Sequence, residues 1–374
     1  MRYLFILGRE PKLSLVELES VFGAKNLQLL APHIALVDTK RPVKLERLGG
    51  CLKVAQVLDQ PLSSFLASQP AGKLTLGVSD YSPRATAHAS WQLALKHKNL
   101  LRRHGRNVRL VPNRTSPIVS SATAHHNQLG EKLNHLEIIK YQKLFASSIG
   151  TQNITAYAKR DQARPARDAF VGMLPPKLAQ ILVNLAVGDQ QSGLLLDPFC
   201  GTGVILQEAS LMGFAVYGSD LSKKMVDYSR RNLSWLSEQK PALLAPVKLE
   251  VGDATSHHWQ PLPNFIASEI FLGRPLSRTP SKTQLLQLQH EARELLSGFL
   301  RNLANQLPTS TTIALAIPAW KRPDGSYLGI PNLLDEIEKL GYNAKKYRYA
   351  SHDELLYHRE NQVVARQIIV LRKK

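Results

Sequence analysis

Short apolar runs alternate with stretches of helical spacing along most of this chain. Between residues 194 and 220, the sequence LLLDPFCGTGVILQEASLMGFAVYGSD predicts a buried strand, a glycine turn, a helix and a second strand. A short, uninterrupted apolar run before a turn is typical of a strand buried on both faces of a parallel sheet. Further runs predict strands near 248–251, 264–268, 311–318 and 362–371, with helices at 178–185, 283–305 and 332–340. The pattern predicts an α/β domain with a seven-stranded, Rossmann-like sheet.

The N-terminal part has a different pattern, which predicts smaller α/β units. Residues 3–7 predict a strand, and Ser14 and Glu17 have the S-x-x-E spacing of a capping box before a helix. Other predicted strands are 34–37, 54–58, 74–78 and 108–111, with one more within 149–157, and helices are predicted at 90–103 and 120–133. We therefore expect a ferredoxin-like unit at 1–60, a second unit at 61–160 and a C-terminal domain at 161–374, with a basic, proline-broken connector at 161–176.

Composition narrows the class of protein. The chain has 374 residues, of which 44% are hydrophobic, and no apolar run approaches the roughly 18 residues that a membrane span needs. Two cysteines, Cys51 and Cys200, argue against a disulfide framework and a cysteine-rich zinc site. The pairs His125-His126 and His257-His258 lack the spacing of metal ligands, although His125 could touch RNA. We expect a cytoplasmic protein without a membrane span or a structural metal.

The charge of the chain predicts a polyanionic partner. The formal net charge is +19, and the segment from Lys96 to Arg167 has fourteen Lys and Arg against three Asp and Glu. Such a concentrated surplus favours binding to nucleic-acid phosphates, the alternative being a solvated basic face that keeps the protein soluble. The candidate RNA-binding residues are Arg102, Arg103, Arg106, Arg160, Arg164 and Arg167.

The glycine turn indicates which ligand the C-terminal domain binds. The dinucleotide fingerprint requires a third glycine where Leu206 stands, and no phosphate-binding G-x-x-x-x-G-K-S/T run occurs. The turn instead resembles the first motif of methyltransferases that use S-adenosyl-L-methionine (AdoMet). The run D-P-F-C-G-T-G resembles the form found in nucleic-acid amino-methyltransferases. The alternative is a glycine turn in another doubly wound domain.

Four segments resemble the tRNA guanine-N2 methyltransferases that carry an N-terminal THUMP RNA-binding domain and methylate guanosine 10. They are YLFILGREPKLSLVELESVFG, RDQARPARDAFVGMLPPKLAQILVNLA, DPFCGTGVILQEA and YHRENQVVARQIIVLRK. The resemblance implies a C-terminal AdoMet methyltransferase sheet, a THUMP-type region at 61–160, AdoMet as cofactor and tRNA as partner. A small activating protein subunit is a further candidate partner.

The chemistry of AdoMet suggests a role for each polar residue at the strand ends. Asp197, Gly201 and Gly203 fit the methionine end, where backbone must pass close to the ligand. Asp220 fits the ribose hydroxyls, with a helix N-cap as its alternative. Asp253, with Ala254, fits the adenine, and its alternative is a plain turn residue. Phe199 and Leu221 could wall the adenine or belong to the core, and Cys200 is expected to be packed rather than nucleophilic.

The end of the fourth strand is where the chain departs from the family. The usual D/N-P-P-Y/F is replaced by Ser268-Glu269-Ile270-Phe271, so both prolines are missing. Glu269 is the candidate to accept from the guanine N–H and take up its proton, and Phe271 the candidate to stack on the extruded base. The alternative for Glu269 is a structural or helix-capping acid.

Together these features predict an AdoMet-dependent tRNA guanine-N2 methyltransferase. Two alternatives remain open: a methyltransferase for another RNA base or for rRNA, and a catalytically silent tRNA-binding protein.

Overall fold

The computed structural model describes residues 1–168, 173–240, 246–359 and 362–374. It has two compact units. The first comprises Met1–Pro11 and Lys25–Ala156, and the second comprises Lys12–Ala24 and Tyr157–Lys374. Part of the predicted connector, residues 169–172, lies outside the described residues.

The first unit is built on a mixed sheet of eight described strands. They are β1 (Arg2–Leu7), β2 (Leu27–Ala31), β3 (Ile34–Asp38), β4 (Cys51–Val57), β5 (Leu74–Asp80), β6 (Val108–Leu110), β7 (His135–Tyr141) and β8 (Leu144–Thr151). Their order across the sheet is β2-β3-β1-β4-β8-β7-β5-β6. Because β4 pairs with β8, strands from both sides of residue 60 share one sheet, and the predicted division at that residue stays a prediction.

The helices of the first unit correct two predictions. They are α2 (Leu62–Ala67), α3 (Ala87–Arg103) and α4 (Ser121–His126). The helix predicted at 120–133 ends early because Gln128 and Gly130 have φ values of 54° and 78°, a left-handed conformation that stops a helix. The strand predicted within 149–157 ends at Thr151, after which helix α5 (Ile154–Gln162) begins.

Helix α1 (Pro11–Phe22) belongs almost wholly to the second unit. It begins at Pro11, a residue suited to a first helical turn, so Ser14 and Glu17 lie inside the helix and the predicted capping box is wrong. Both are buried, and Glu17 accepts a hydrogen bond from the Asn184 amide at 2.7 Å. Ser14 and Glu17 thus pack in the interior of the second unit.

The second unit has the predicted seven-stranded sheet. Its strands are β9 (Leu194–Asp197), β10 (Ala215–Asp220), β11 (Val247–Val251), β12 (Phe265–Glu269), β13 (Thr312–Lys321), β15 (Tyr342–Ala344) and β17 (Val364–Lys373). The order is β11-β10-β9-β12-β13-β17-β15, with the two-residue strands β14 (Tyr327–Leu328) and β16 (Leu356–Tyr357) at the side. Strands β9 to β13 are parallel, and β17 is antiparallel to both neighbours.

Helices cover both faces of this sheet, as near-continuous apolar strands require. They are α6 (Pro176–Val187), α7 (Val204–Leu211), α8 (Lys223–Gln239), α9 (Lys282–Ala304) and α10 (Leu333–Lys339). Leu182 of α6 packs in one core with Ala267 and Ile368, whereas Phe299 of α9 packs in another with Leu196. Among the described helices, none is both long and apolar enough to cross a bilayer.

Candidate functional site

A cavity of about 630 Å³ opens in the second unit where β9, β10 and β12 end. Ligands of open α/β sheets bind at this carboxyl edge. The cavity collects nine of the ten residues predicted for the cofactor and the chemistry. They are Asp197, Phe199, Gly201, Asp220, Leu221, Asp253, Ala254, Glu269 and Phe271.

The two glycines of the turn differ in what they do. Gly201 has a φ of 51° and lines the cavity, where a Cβ would meet nothing closer than the Phe199 carbonyl at 3.9 Å. Gly203 has a φ of 81°, and its Cβ would lie 2.9 Å from the Ser229 hydroxyl. Gly203 is not among the lining residues, so glycine is needed there for the positive φ and for close packing against α8.

Asp197 is the most buried acid of the cavity, with 2% of its surface exposed. Its Oδ1 accepts from the Ser268 hydroxyl at 2.6 Å and from the Phe199 N–H at 3.3 Å. Burial raises the pKa of Asp197 to about 7, Asp220 and Glu269 add to the rise, and the Ser268 bond opposes it. A cationic ligand would be attracted to this carboxylate once it is ionised.

Asp220 ties the glycine turn to the end of β10. Its Oδ2 accepts from the Gly201 N–H and its Oδ1 from the Ser222 N–H, both at 2.9 Å. Burial raises the pKa of this carboxyl in spite of those two bonds. Each oxygen keeps a second acceptor site, so the predicted ribose role and the local backbone role are compatible.

The predicted adenine side has one polar and three apolar members. Asp253 Oδ1 accepts from the Thr255 N–H and hydroxyl at 2.8 and 2.7 Å, and these bonds lower the pKa of Asp253. Phe199 packs edge-on against Phe299, with ring centres 5.2 Å apart. Leu221 is 73% exposed at the cavity, which rules out the core as its alternative. Buried Ala254 completes the wall.

Glu269, the last residue of β12, has a partner that sequence reasoning missed. Its Oε1 accepts from Nε of Arg366, a residue of β17 that is 3% exposed. Burial raises the pKa of Glu269, and Arg366 opposes that rise. The signal was present, since Arg366 is the one cation in a stretch from Val363 to Leu371 that is apolar apart from Gln367.

The segment after β12 is exposed at the cavity. Phe271 shows 57% of its surface to solvent, which leaves its ring available for stacking. Arg274, Arg278 and Lys282 follow in a run without acidic residues, and all three are exposed. These three cations are not among the arginines predicted from the sequence to bind RNA.

The six predicted RNA-binding arginines fall into two groups. Arg102, Arg103 and Arg167 are exposed, although Arg167 also donates to the Gln162 carbonyl at 2.7 Å. The other three are engaged or buried: Arg106 donates to the carbonyls of Leu66, Gln69 and Pro70, Arg160 pairs with buried Glu208 at 2.6 and 3.1 Å, and Arg164 is 3% exposed. Charge counting along the sequence cannot separate these groups, because it ignores local burial.

The remaining candidates are the histidines and Cys200. Within the described ranges, no group of three or more His, Cys, Asp or Glu is arranged to hold a metal ion. His257 lies 3.2 Å from Glu250 and is only partly exposed. Cys200 is buried, and burial raises the pKa of its thiol, which fits the packed role expected for it.

Comparisons with known proteins show which families and folds this chain resembles. Residues 164–285 match the family model described as an RMKL-like methyltransferase domain. The chain is 49% identical over 75 residues to a tRNA (guanine(10)-N2)-dimethyltransferase of Methanothermobacter thermautotrophicus, and 40% identical over 82 residues to one of Pyrococcus abyssi. These matches cover 20% and 22% of this chain, and the chain spans 22% of the length of each relative.

Solved structures support the fold. The crystal structure of TrmN from Thermus thermophilus aligns over 100% of both chains with a TM-score of 0.50 and 17% identity. The predicted α/β fold with a seven-stranded methyltransferase-type sheet is therefore confirmed. The two archaeal relatives confirm the resemblance to the tRNA guanine-N2 methyltransferases over the short stretches that they match.

Proposed function

We propose that this protein transfers the methyl group of AdoMet to tRNA, with the N2 amine of a guanine in the guanosine-10 type of reaction as acceptor. The observation that carries the proposal is one cavity lined by Asp197, Asp220 and Glu269, each at the end of a neighbouring strand. The two archaeal relatives, named tRNA (guanine(10)-N2)-dimethyltransferases, support the choice of substrate.

The residues of the cavity fit AdoMet. A buried carboxylate at Asp197 suits the ligand's positive end, and Asp220 retains acceptor sites for two ribose hydroxyls. Gly201 faces the cavity without a side chain, which lets backbone approach the ligand. When bound, AdoMet supplies an electrophilic methyl group.

The residues at the end of β12 would act on the base. An exocyclic guanine amine is a weak nucleophile because its lone pair is delocalised, so positioning supplies much of the rate. Glu269 would accept from the N–H and take the proton. Phe271 would stack on a guanine taken out of the RNA structure.

The exposed arginines of α3, Arg102 and Arg103, would contact tRNA phosphates from the first unit. Arg106 and Arg160 are better assigned to contacts within the protein, because their guanidinium groups make hydrogen bonds there. Arg164 is buried, which keeps its guanidinium away from a phosphate at the surface. The net charge of +19 supports an anionic partner of this size.

The proposal is tested by mass spectrometry of tRNA nucleosides from a strain that lacks this protein. We expect loss of N2-methylated guanosine, restored by the wild-type gene and not by Glu269→Gln. Loss of a different methylated base would support the alternative substrate, and an unchanged nucleoside profile would support the silent tRNA-binding protein.

An AdoMet titration by calorimetry with Gly201→Val tests the cofactor site. Gly105→Val is its matched control, since Gly105 also has positive φ but nothing within 4 Å of its Cβ.

A further inference from the structure

The contact between Glu269 and Arg366 crosses an intervening strand. In the sheet, Glu269 lies opposite Ala316 of β13, and Ala316 lies opposite Ile368 of β17. Arg366 comes two residues before Ile368, so it points to the same face of the sheet. The side chain between them belongs to an alanine, which leaves room for a long arginine to reach across β13.

The pair is nearly closed to solvent. The side chains of Arg366 and Glu269 are 4% and 13% exposed. The contact is made through Oε1 of Glu269, and Oε2 makes no hydrogen bond with any residue that the structure describes. The carboxylate therefore keeps one oxygen for a ligand in the cavity.

Several ionisable groups surround this carboxylate. Asp197 of β9 and Asp220 of β10 line the same cavity as Glu269, and the charge of Glu269 acts on Asp197. On the other side, β17 contributes Arg366, and the phenol-bearing Tyr357 of β16 pairs opposite it. Burial favours the neutral form of Glu269, whereas the Arg366 guanidinium favours the ionised form.

We propose that Arg366 is a positioning residue that keeps Glu269 ionised and oriented so that its second oxygen accepts the proton released on methylation. The inference rests on the proposed function and assigns a role to a residue outside the reacting atoms. As the amine nitrogen bonds to the methyl carbon, the C–S bond of AdoMet breaks, and its electron pair stays on the sulfur of S-adenosylhomocysteine, which leaves. The proton that the methylated amine loses passes to Glu269. Arg366 itself transfers nothing.

The first test is the pH profile of single-turnover tRNA methylation in Arg366→Met and Arg366→Lys. For Arg366→Met, we expect the acid limb to move to higher pH by on the order of one unit, the usual effect of removing an adjacent opposite charge. Arg366→Lys should move it less. The matched control is Arg293→Met, which breaks another arginine–glutamate pair of the same unit, with Glu336, and should leave the limb in place. A loss of rate that is equal at every pH would overturn the positioning role.

The second test does not need activity. Isotope-edited infrared titration of the glutamate carboxyl bands, assigned by difference from Glu269→Gln, should show a higher pKa for Glu269 in Arg366→Met. If Arg366→Met does not fold, Arg366→Lys should show the smaller rise. An unchanged titration would overturn the inference. A wild type that shows the arginine-dependent titration but methylates no tRNA would instead refute the proposed function and leave the electrostatic role intact.

Discussion

Each unit contains a buried pair between a cation and a glutamate, and the two pairs differ in their surroundings. In the first unit, the side chains of Lys53 and Glu137 are 1% and 0% exposed. Lys53 also donates to the Val119 carbonyl at 2.6 Å, and the Ser79 hydroxyl donates to Glu137. In the second unit, Glu269 is 13% exposed and lines a cavity.

The surroundings of the two pairs distinguish a structural ion pair from an ion pair at a ligand site. Lys53, Ser79 and Glu137 come from three strands of one sheet, and their mutual contacts hold these strands in register. Arg366 and Glu269 also join strands, but Glu269 is the last residue of a parallel strand and lies at the edge of the sheet where ligands bind. Both pairs are buried, but only the Arg366–Glu269 pair, of the two, can be reached from a cavity.

The largest expected effect is on the structural pair. Lys53→Met leaves Glu137 charged and buried without its cation, which typically costs about 3–5 kcal/mol in the free energy of unfolding. Urea unfolding of the first unit, followed by circular dichroism, measures this loss. The double variant Lys53→Met, Glu137→Leu should recover much of it. A single variant as stable as the wild type would contradict the structural role of the Lys53–Glu137 pair.

The next effect is on the pair at the cavity. Glu269→Gln keeps an oxygen for Arg366 but removes the proton-accepting charge, and loss of a general base typically lowers the rate on the order of a hundredfold or more. Single-turnover methylation should fall by this amount while calorimetry gives nearly unchanged affinities for AdoMet and tRNA. A matching loss of AdoMet affinity would assign Glu269 to the cofactor instead.

A smaller effect concerns Asp197, whose pKa is raised to about 7 by burial. Because the folded protein holds this proton more tightly than the unfolded chain, its contribution to stability is present at low pH and lost as pH rises towards 7. Affinity for cationic AdoMet should change in the opposite sense, rising by up to about tenfold per pH unit below that pKa. Calorimetry at several pH values measures this, and Asp197→Asn should give a flat, weaker profile. A flat wild-type profile would remove Asp197 from the cationic end.

The smallest expected effect is on the salt dependence of tRNA binding, and it distinguishes exposed arginines from those whose side chains make hydrogen bonds within the protein. Replacing Arg102 and Arg103 by alanine should flatten the log–log salt dependence of tRNA binding by roughly 0.7 to 0.9 per lost phosphate contact, without lowering the melting temperature. Arg106→Ala should instead lower the melting temperature and leave the salt dependence unchanged, because Arg106 donates to the Gln69 carbonyl at 2.9 Å and to neighbouring carbonyls. An unchanged slope in the double variant would exclude this end of α3 from the RNA surface.

The sequence predicted the second unit well because its signals are local. Three apolar residues followed by Asp197 and two glycines predict a strand, a turn and a helix without knowledge of the rest of the chain. It predicted the first unit less well, since β7 and β8 carry polar residues such as Glu137 and Ser147 at buried positions, and their partners are far away in the chain.

The candidate site divides in the same way. Asp197, Asp220 and Glu269 follow their strands directly, so their meeting at one edge could be inferred. Arg366 is 97 residues from Glu269, and only the antiparallel return of β17 beside β13 brings it there. The engagement of Arg106 likewise depends on carbonyls that a count of charges does not include.

The central claim is that Glu269 and its cavity methylate the N2 amine of guanine in tRNA. The most direct measurement incubates the purified protein with isotopically labelled AdoMet and unmodified tRNA, and identifies the labelled nucleoside by mass spectrometry. We expect labelled N2-methylated guanosine for the wild type and at least about a hundredfold less for Glu269→Gln. A different labelled nucleoside, equal rates in both proteins, or no label from a wild type that binds AdoMet and tRNA would contradict it.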